Sequence, residues 1–259
     1  MQHRLVAPGM QLSRFLPAVG LAALGWLVLL VIAATGNGAV IRHDRLLQAG
    51  PPLWLATMWF VGGWQVMLAA MMVPASVHAF ARVQPGTAST RFAAAYFAVW
   101  TLFGLSIFFF DAAVHATVNN WPWLATHPWF IAGTTLVVAG TYQLSNIKAH
   151  ALEACRRVEH IPTSAGVDAG GSRHGLDCVR ASGGLMLLAF ALGSGSLFTM
   201  AAIAVLMAWE VTPWGSSVVK PVGYALVALG VFVVAGPISL PTWWPLHQLD
   251  PVAVGVTEP

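Results

Sequence analysis

Residues 15–35 read FLPAVGLAALGWLVLLVIAAT and carry no charged side chain. About 20 consecutive apolar residues are enough for a helix to cross the hydrocarbon core of a bilayer, so this stretch predicts a transmembrane helix. A cleavable signal peptide is the competing reading, since Arg4 and Arg14 precede the stretch and an Ala-Ala-Thr-Gly sequence ends it. The apolar run exceeds the roughly 7–15 residues of a signal core, which favours a retained first helix.

The rest of the chain agrees with a membrane setting. Of its 259 residues, 58% are hydrophobic and 8% charged. A soluble domain carries about 25% charged residues, so this composition cannot build a water-facing surface. Twelve Trp and 25 Gly fit interfacial aromatics and close helix contacts. The net charge of +3 does not point to nucleic acid, because the basic residues sit between apolar runs as topology signals. Two cysteines are too few for a disulfide framework.

Five further apolar runs follow, at about 54–79, 92–117, 128–147, 183–209 and 221–240. The expectation is an all-α fold: a single integral membrane domain over 1–259, built as a polytopic bundle of about six transmembrane helices. The polar segment 148–182 is expected to be a loop, with Gly166, Gly170 and Gly171 as its flexible middle. With the N-terminus inside, the inner segments hold Arg4, Arg14, Arg82, Arg91, Lys148, Arg156, Arg157, Arg173 and Arg180; the outer ones hold Arg42, Arg45 and Lys220. The positive-inside rule then places both termini and the 148–182 loop in the cytoplasm. In that reducing compartment Cys155 and Cys178 are expected as free thiols or thiolates.

Three groups of residues could carry chemistry. In the 148–182 segment, His150, Cys155, His160, His174 and Cys178 are all metal-ligand types. Cys and His together suit Zn(II) or Cu(I), and thiolate favours the softer ion. Neither cysteine belongs to a Cys-x-x-Cys pair, so two isolated thiols in a basic loop remain the plain alternative. Met67, Met71 and Met72 form the second group. Thioethers are soft donors for Cu(I), and Met67 and Met71 share a helix face, yet methionine also fills gaps in packed cores. Asp111 and His115, four apart in the third run, are the third group; they are either satisfied near the outer interface or ligands in a water-filled site. Met200, Met207 and Glu210 lie along the fifth run and could join these only if the runs are neighbours. Gly193-Ser194-Gly195-Ser196 reads as a packing seam, not a phosphate loop.

Three blocks resemble a bacterial family of predicted metal-binding integral membrane proteins, catalogued as a domain of unknown function. They are Met67-Leu68-Ala69-Ala70-Met71-Met72-Val73-Pro74, Tyr142-Gln143-Leu144 through Lys148 to Cys155-Arg156, and Arg173-His174-Gly175-Leu176-Asp177-Cys178, followed by Leu185-Met186 and Glu210. The chain departs from that pattern where further cysteines are usual: Ala151 stands for one, and Ala181-Ser182-Gly183 replaces a Cys-Cys-Trp run. The family's Glu-Lys is Glu210-Val211 here. The resemblance implies a soft-metal site, copper or else zinc, on Cys155, Cys178 and His174 near the cytoplasmic face, with Met67, Met71 and Met72 as an intramembrane track. A bilayer and a membrane or metal-delivery protein are the expected partners. Two other functions fit the sequence: an accessory subunit of a membrane complex that binds no metal, or a membrane oxidase with its metal on His115, Asp111 and methionines.

Overall fold

The computed structural model describes residues 8–36, 46, 51–157, 166–193 and 196–235. Among them are ten helices and no strands. They are α1 (Pro8–Ala34), α2 (Leu53–Ala75), α3 (Val77–Arg82), α4 (Thr87–Asn120), α5 (Pro122–Ala125), α6 (Pro128–Gln143), α7 (Asn146–Arg156), α8 (Val167–Gly193), α9 (Leu197–Val211) and α10 (Ser216–Ala235). The all-helical expectation is met. Four stretches are long and apolar enough to cross a membrane: Arg14–Ala34, Leu53–Ala75, Thr87–Val118 and Ser216–Ala235.

The other two expected spans differ for readable reasons. The fourth, α6, has 16 residues, short of the roughly 20 a crossing needs. The fifth divides between the end of α8 and the shorter apolar α9, which starts at an N-cap where the Ser196 hydroxyl accepts the Thr199 amide. The second run also breaks, at Ser76, where α2 gives way to α3. Residues 236–240 of the sixth run lie outside the described residues, as do His160, Arg42, Arg45, Ser194 and Gly195.

The largest correction concerns 148–182, expected as a loop. It is helical over most of its described length, as α7 and as the first half of α8. Gly171 is not a flexible point. A Cβ there would lie 2.5 Å from the Phe92 carbonyl oxygen, so the glycine lets α8 lie directly on α4.

α4 and α9 each pack against both α2 and α8, which sets α2 and α8 across from one another. α1 covers α2, while α7 and α6 lie against α8. α10 docks on α6 through two glycine pairs. A Cβ on Gly230 would sit 2.7 Å from the Gly133 carbonyl oxygen, and one on Gly140 would sit 2.8 Å from that of Gly223. The members of each pair of positions are seven residues, two turns, apart on their helix, so the backbones touch along a seam. The core between α2, α4, α8 and α9 holds Trp64, Met67, Met71, Met72, Tyr96, Trp100, Met186 and Met207. Trp64 Nε1 donates to the Trp100 carbonyl at 2.9 Å. Large apolar side chains face outward elsewhere, among them Leu24, Leu27, Leu30, Leu102, Phe110, Val205 and Phe232, each more than half exposed.

Candidate metal centre

The centre forms where α7, α8 and the α2–α3 junction converge. α7 is capped by Ser145, whose hydroxyl accepts the Lys148 amide at 3.2 Å. It buries Lys148, Ala151, Leu152 and Cys155, the i, i+3, i+4, i+7 stripe of an amphipathic helix. Cys155 therefore points at α8. There His174 and Cys178, four residues apart, share a face. The two sulfurs are 2.9 Å apart and not bonded to each other as a disulfide. His174 Nε2 and the Ser76 hydroxyl each lie 3.5 Å from Cys178 Sγ. Ser76 also bonds the Tyr96 hydroxyl at 3.0 Å. The imidazole stacks on the rings of Phe92 and Tyr96 at centroid distances of 6.1 and 5.7 Å, which fixes its plane.

One ligand atom from each of Cys155, His174 and Cys178 lies within 4.8 Å of the others, and all three residues are buried. The cluster polarises its own protons. The hydrogen bond to Cys178, then burial, push the Cys155 thiol well above its usual range. For Cys178 burial opposes ionisation, but hydrogen bonding from Cys155 and the charge and hydrogen bond of His174 outweigh it and hold the thiol well below its usual range. His174 is raised: burial works against its cation, and the Cys178 thiolate more than compensates. The shifts favour a Cys178 thiolate, hydrogen-bonded by the Cys155 thiol and by an imidazole whose proton that thiolate helps to retain.

A buried ion pair stands beside the cluster. Lys148 Nζ lies 2.7 Å from Glu210 Oε2 and donates to the Ala181 carbonyl at 2.8 Å, one turn along α8 from Cys178. Gln143 donates to the other Glu210 oxygen. Arg156 donates to the Glu210 carbonyl at 2.5 Å and to that of Val211 at 3.3 Å, satisfying carbonyls at the end of α9. Glu210, a candidate ligand in the sequence, is thus engaged by Lys148 and Gln143 and is not in the thiol cluster. Asp111 and His115 pair at 3.5 Å on α4, but His115 lies nineteen residues beyond Tyr96, roughly 28 Å along the helix. His150, on α7, is exposed. Met71 and Met72 are buried in the same apolar cluster as the two cysteines.

A family model described as PpoB2, copper chaperone, matches residues 61–233. The chain belongs to this copper-chaperone family. The match takes in all three blocks noted in the sequence, from Met67 to Glu210, so the metal-related part of the resemblance holds. No curated protein and no solved structure matched in the corresponding comparisons. Within the copper-chaperone frame, the Cys-His-Cys group is the feature whose chemistry fits copper. Sequence reasoning missed Ser76 and Tyr96 as its neighbours. Gln143 and Lys148 stood in the second block, but their partner Glu210 lies over 60 residues away, and no local spacing announces it.

Proposed function

We propose that the protein is a multi-pass membrane copper chaperone that carries Cu(I) on Cys155 and Cys178, with His174 as third donor, and passes it to a copper-requiring protein. The observation that carries this reading is the convergence of three buried soft and borderline donors within 4.8 Å. Three donors suit Cu(I) better than Zn(II), whose structural sites take four. Loading is a ligand exchange without redox change: Cu(I) joins the Cys178 thiolate and the Cys155 sulfur, and the Cys155 proton leaves to solvent. His174 sheds its proton if its nitrogen also ligates. Cys155 Sγ and Cys178 Sγ, 2.9 Å apart here, would have to spread to hold one ion between them, since two sulfurs each about 2.3 Å from the same metal stand farther apart than that. Delivery reverses the exchange onto a partner's donor.

Four apolar helices and the outward-facing Leu, Val and Phe side chains support insertion in a bilayer, since soluble proteins rarely expose such contiguous apolar surface. With α6 and the α8–α9 stretch taken as two further crossings, the Lys/Arg asymmetry favours the thiol end in the cytoplasm of a bacterial inner membrane.

The test is Cu(I) competition against a chromophoric chelator, under anaerobic conditions, on protein purified in mild detergent from carbonate-washed membranes. Cys155→Ser with Cys178→Ser should remove one copper per chain and the thiolate-to-copper charge-transfer absorption. Undiminished copper in that variant would remove the thiols from the mechanism.

A further inference from the structure

A small cavity of about 20 Å³ lies between α1, α2, α8 and α9, partly open beside Trp59, which is 51% exposed, and away from the thiols. Its wall includes Met67 of α2 and Met200 of α9, with Trp59, Phe60, Trp64 and Phe190 around them. The space admits one water-sized body, but a buried water needs two to four polar partners. The wall residues supply no carboxylate, hydroxyl or imidazole. Thioethers are weak hydrogen-bond acceptors and good donors to a soft cation. Aromatic faces add attraction for a cation without demanding a proton or a counter-charge.

The cavity also stands in a fixed relation to the thiol pair. α2 reaches the thiols at Ser76 and the cavity at Met67, nine residues or roughly 14 Å away. α8 leaves Cys178 and reaches the cavity at Phe190, twelve residues or roughly 18 Å along. α9 begins near the cavity with Met200 and ends with Glu210 beside the Lys148 anchor. At intermediate levels on these three helices lie Met71, Met72, Met186 and Met207, each no more than 1% exposed and all in one cluster with both cysteines.

We infer that Met67 and Met200 form a second site, a two-thioether holding site for Cu(I), separated from the Cys155–Cys178 pair by the buried methionines of α2, α8 and α9. The identity of the ion rests on the copper reading given above; the site itself rests on the cavity. Coordination here is simple addition of Cu(I) to two sulfur lone pairs, with no proton released and no electron moved.

The experiment is an anaerobic titration of the full-length protein in detergent with Ag(I), a redox-inert soft cation, at pH 6 and pH 8. Wild type should bind two ions. Met67→Leu with Met200→Leu, close in volume and hence in packing, should bind one, with affinity that rises with pH. Cys155→Ser with Cys178→Ser should bind one, with affinity unchanged between the two pH values and with quenching of tryptophan fluorescence from the cavity wall. Two ions retained in the methionine variant, or none in the cysteine variant, overturns the inference. Wild type binding a single ion that the cysteine variant loses also overturns it, while leaving the thiol carrier intact. Persistence of a methionine-dependent ion in a protein whose cysteines bind nothing does the reverse. Should the double methionine variant not fold, the pH-independent quenching in the cysteine variant decides alone: its presence supports the site, its absence removes it.

Discussion

Lys148 and Glu210 come from α7 and α9 and meet as an ion pair with both side chains 1% exposed, Nζ 2.7 Å from Oε2. Removing one partner leaves the other charge buried and unpaired, which costs about 3–5 kcal/mol. Lys148→Met is therefore expected to lower the thermal unfolding midpoint sharply. Lys148→Met with Glu210→Met should recover part of the loss, because an apolar pair needs no solvation but leaves Gln143 and the Ala181 carbonyl without these partners. Thermal denaturation of the three proteins in the same detergent checks the pattern, and a double variant no better than the single one would contradict it.

Copper loading has a pH dependence of definite sign. Cys155 keeps its proton through neutral pH, since its hydrogen bond to Cys178 and its burial push that thiol upward. A metal that bridges both sulfurs expels this proton, so a higher pH favours the loaded state. Apparent Cu(I) affinity should rise roughly tenfold per pH unit for the Cys155 proton, and more steeply wherever the His174 ring is also protonated and must shed its proton to ligate. Cys155→Ser should flatten this slope as well as weaken binding, because Cys178 is already held as thiolate. Chelator competition across pH 6 to 8 measures both.

Ser76 connects the α2–α3 break to the centre by bonding both Tyr96 and Cys178. Ser76→Ala leaves the buried tyrosine hydroxyl without that partner, a loss of about 1–3 kcal/mol. It also removes one donor that favours the Cys178 thiolate, so the thiolate absorbance of the metal-free protein should appear at higher pH than in wild type. Ser76→Thr keeps the hydroxyl and is expected to restore the titration.

Glycines can be sorted by what faces them. Gly230→Val would drive a side chain into the α6 backbone at Gly133 and Val137, whereas a Cβ at Gly62 meets nothing within 4 Å. Gly230→Val is expected to lose folded yield in size-exclusion profiles. Gly62→Ala should be neutral or stabilising, since the glycine contributes backbone entropy to the unfolded chain.

The helices were legible because uncharged runs of about 20 residues have few other uses. His174 and Cys178 were legible as ligand types only; with their segment expected as a loop, their shared helix face was not foreseen. What the residues alone did not disclose is contact between helices. Cys155 is 23 positions before Cys178, and only the docking of α7 on α8 brings the sulfurs together. The reading of 148–182 as a loop failed because its charges and glycines suggested solvent. In the folded chain Lys148 is neutralised by Glu210, Arg91 pairs with Asp168, and Gly171 permits contact with α4. Glu210 looked like a metal ligand for a related reason: a carboxylate near an apolar run needs a partner, and sequence does not say that the partner is a lysine.

The burial of the thiol pair bears on timing as well as on affinity. Cys155 and Cys178 are each 4% exposed beneath α7, and α7 is fastened by Lys148 to α8 and α9 and by Arg156 to the end of α9. A recipient's sulfur cannot approach the ion until those fastenings yield. With copper on this pair, as proposed, its residence time would be governed by how often α7 lifts, so a carrier of this build would hold its cargo through many unproductive collisions and release it to a protein that loosens the helix.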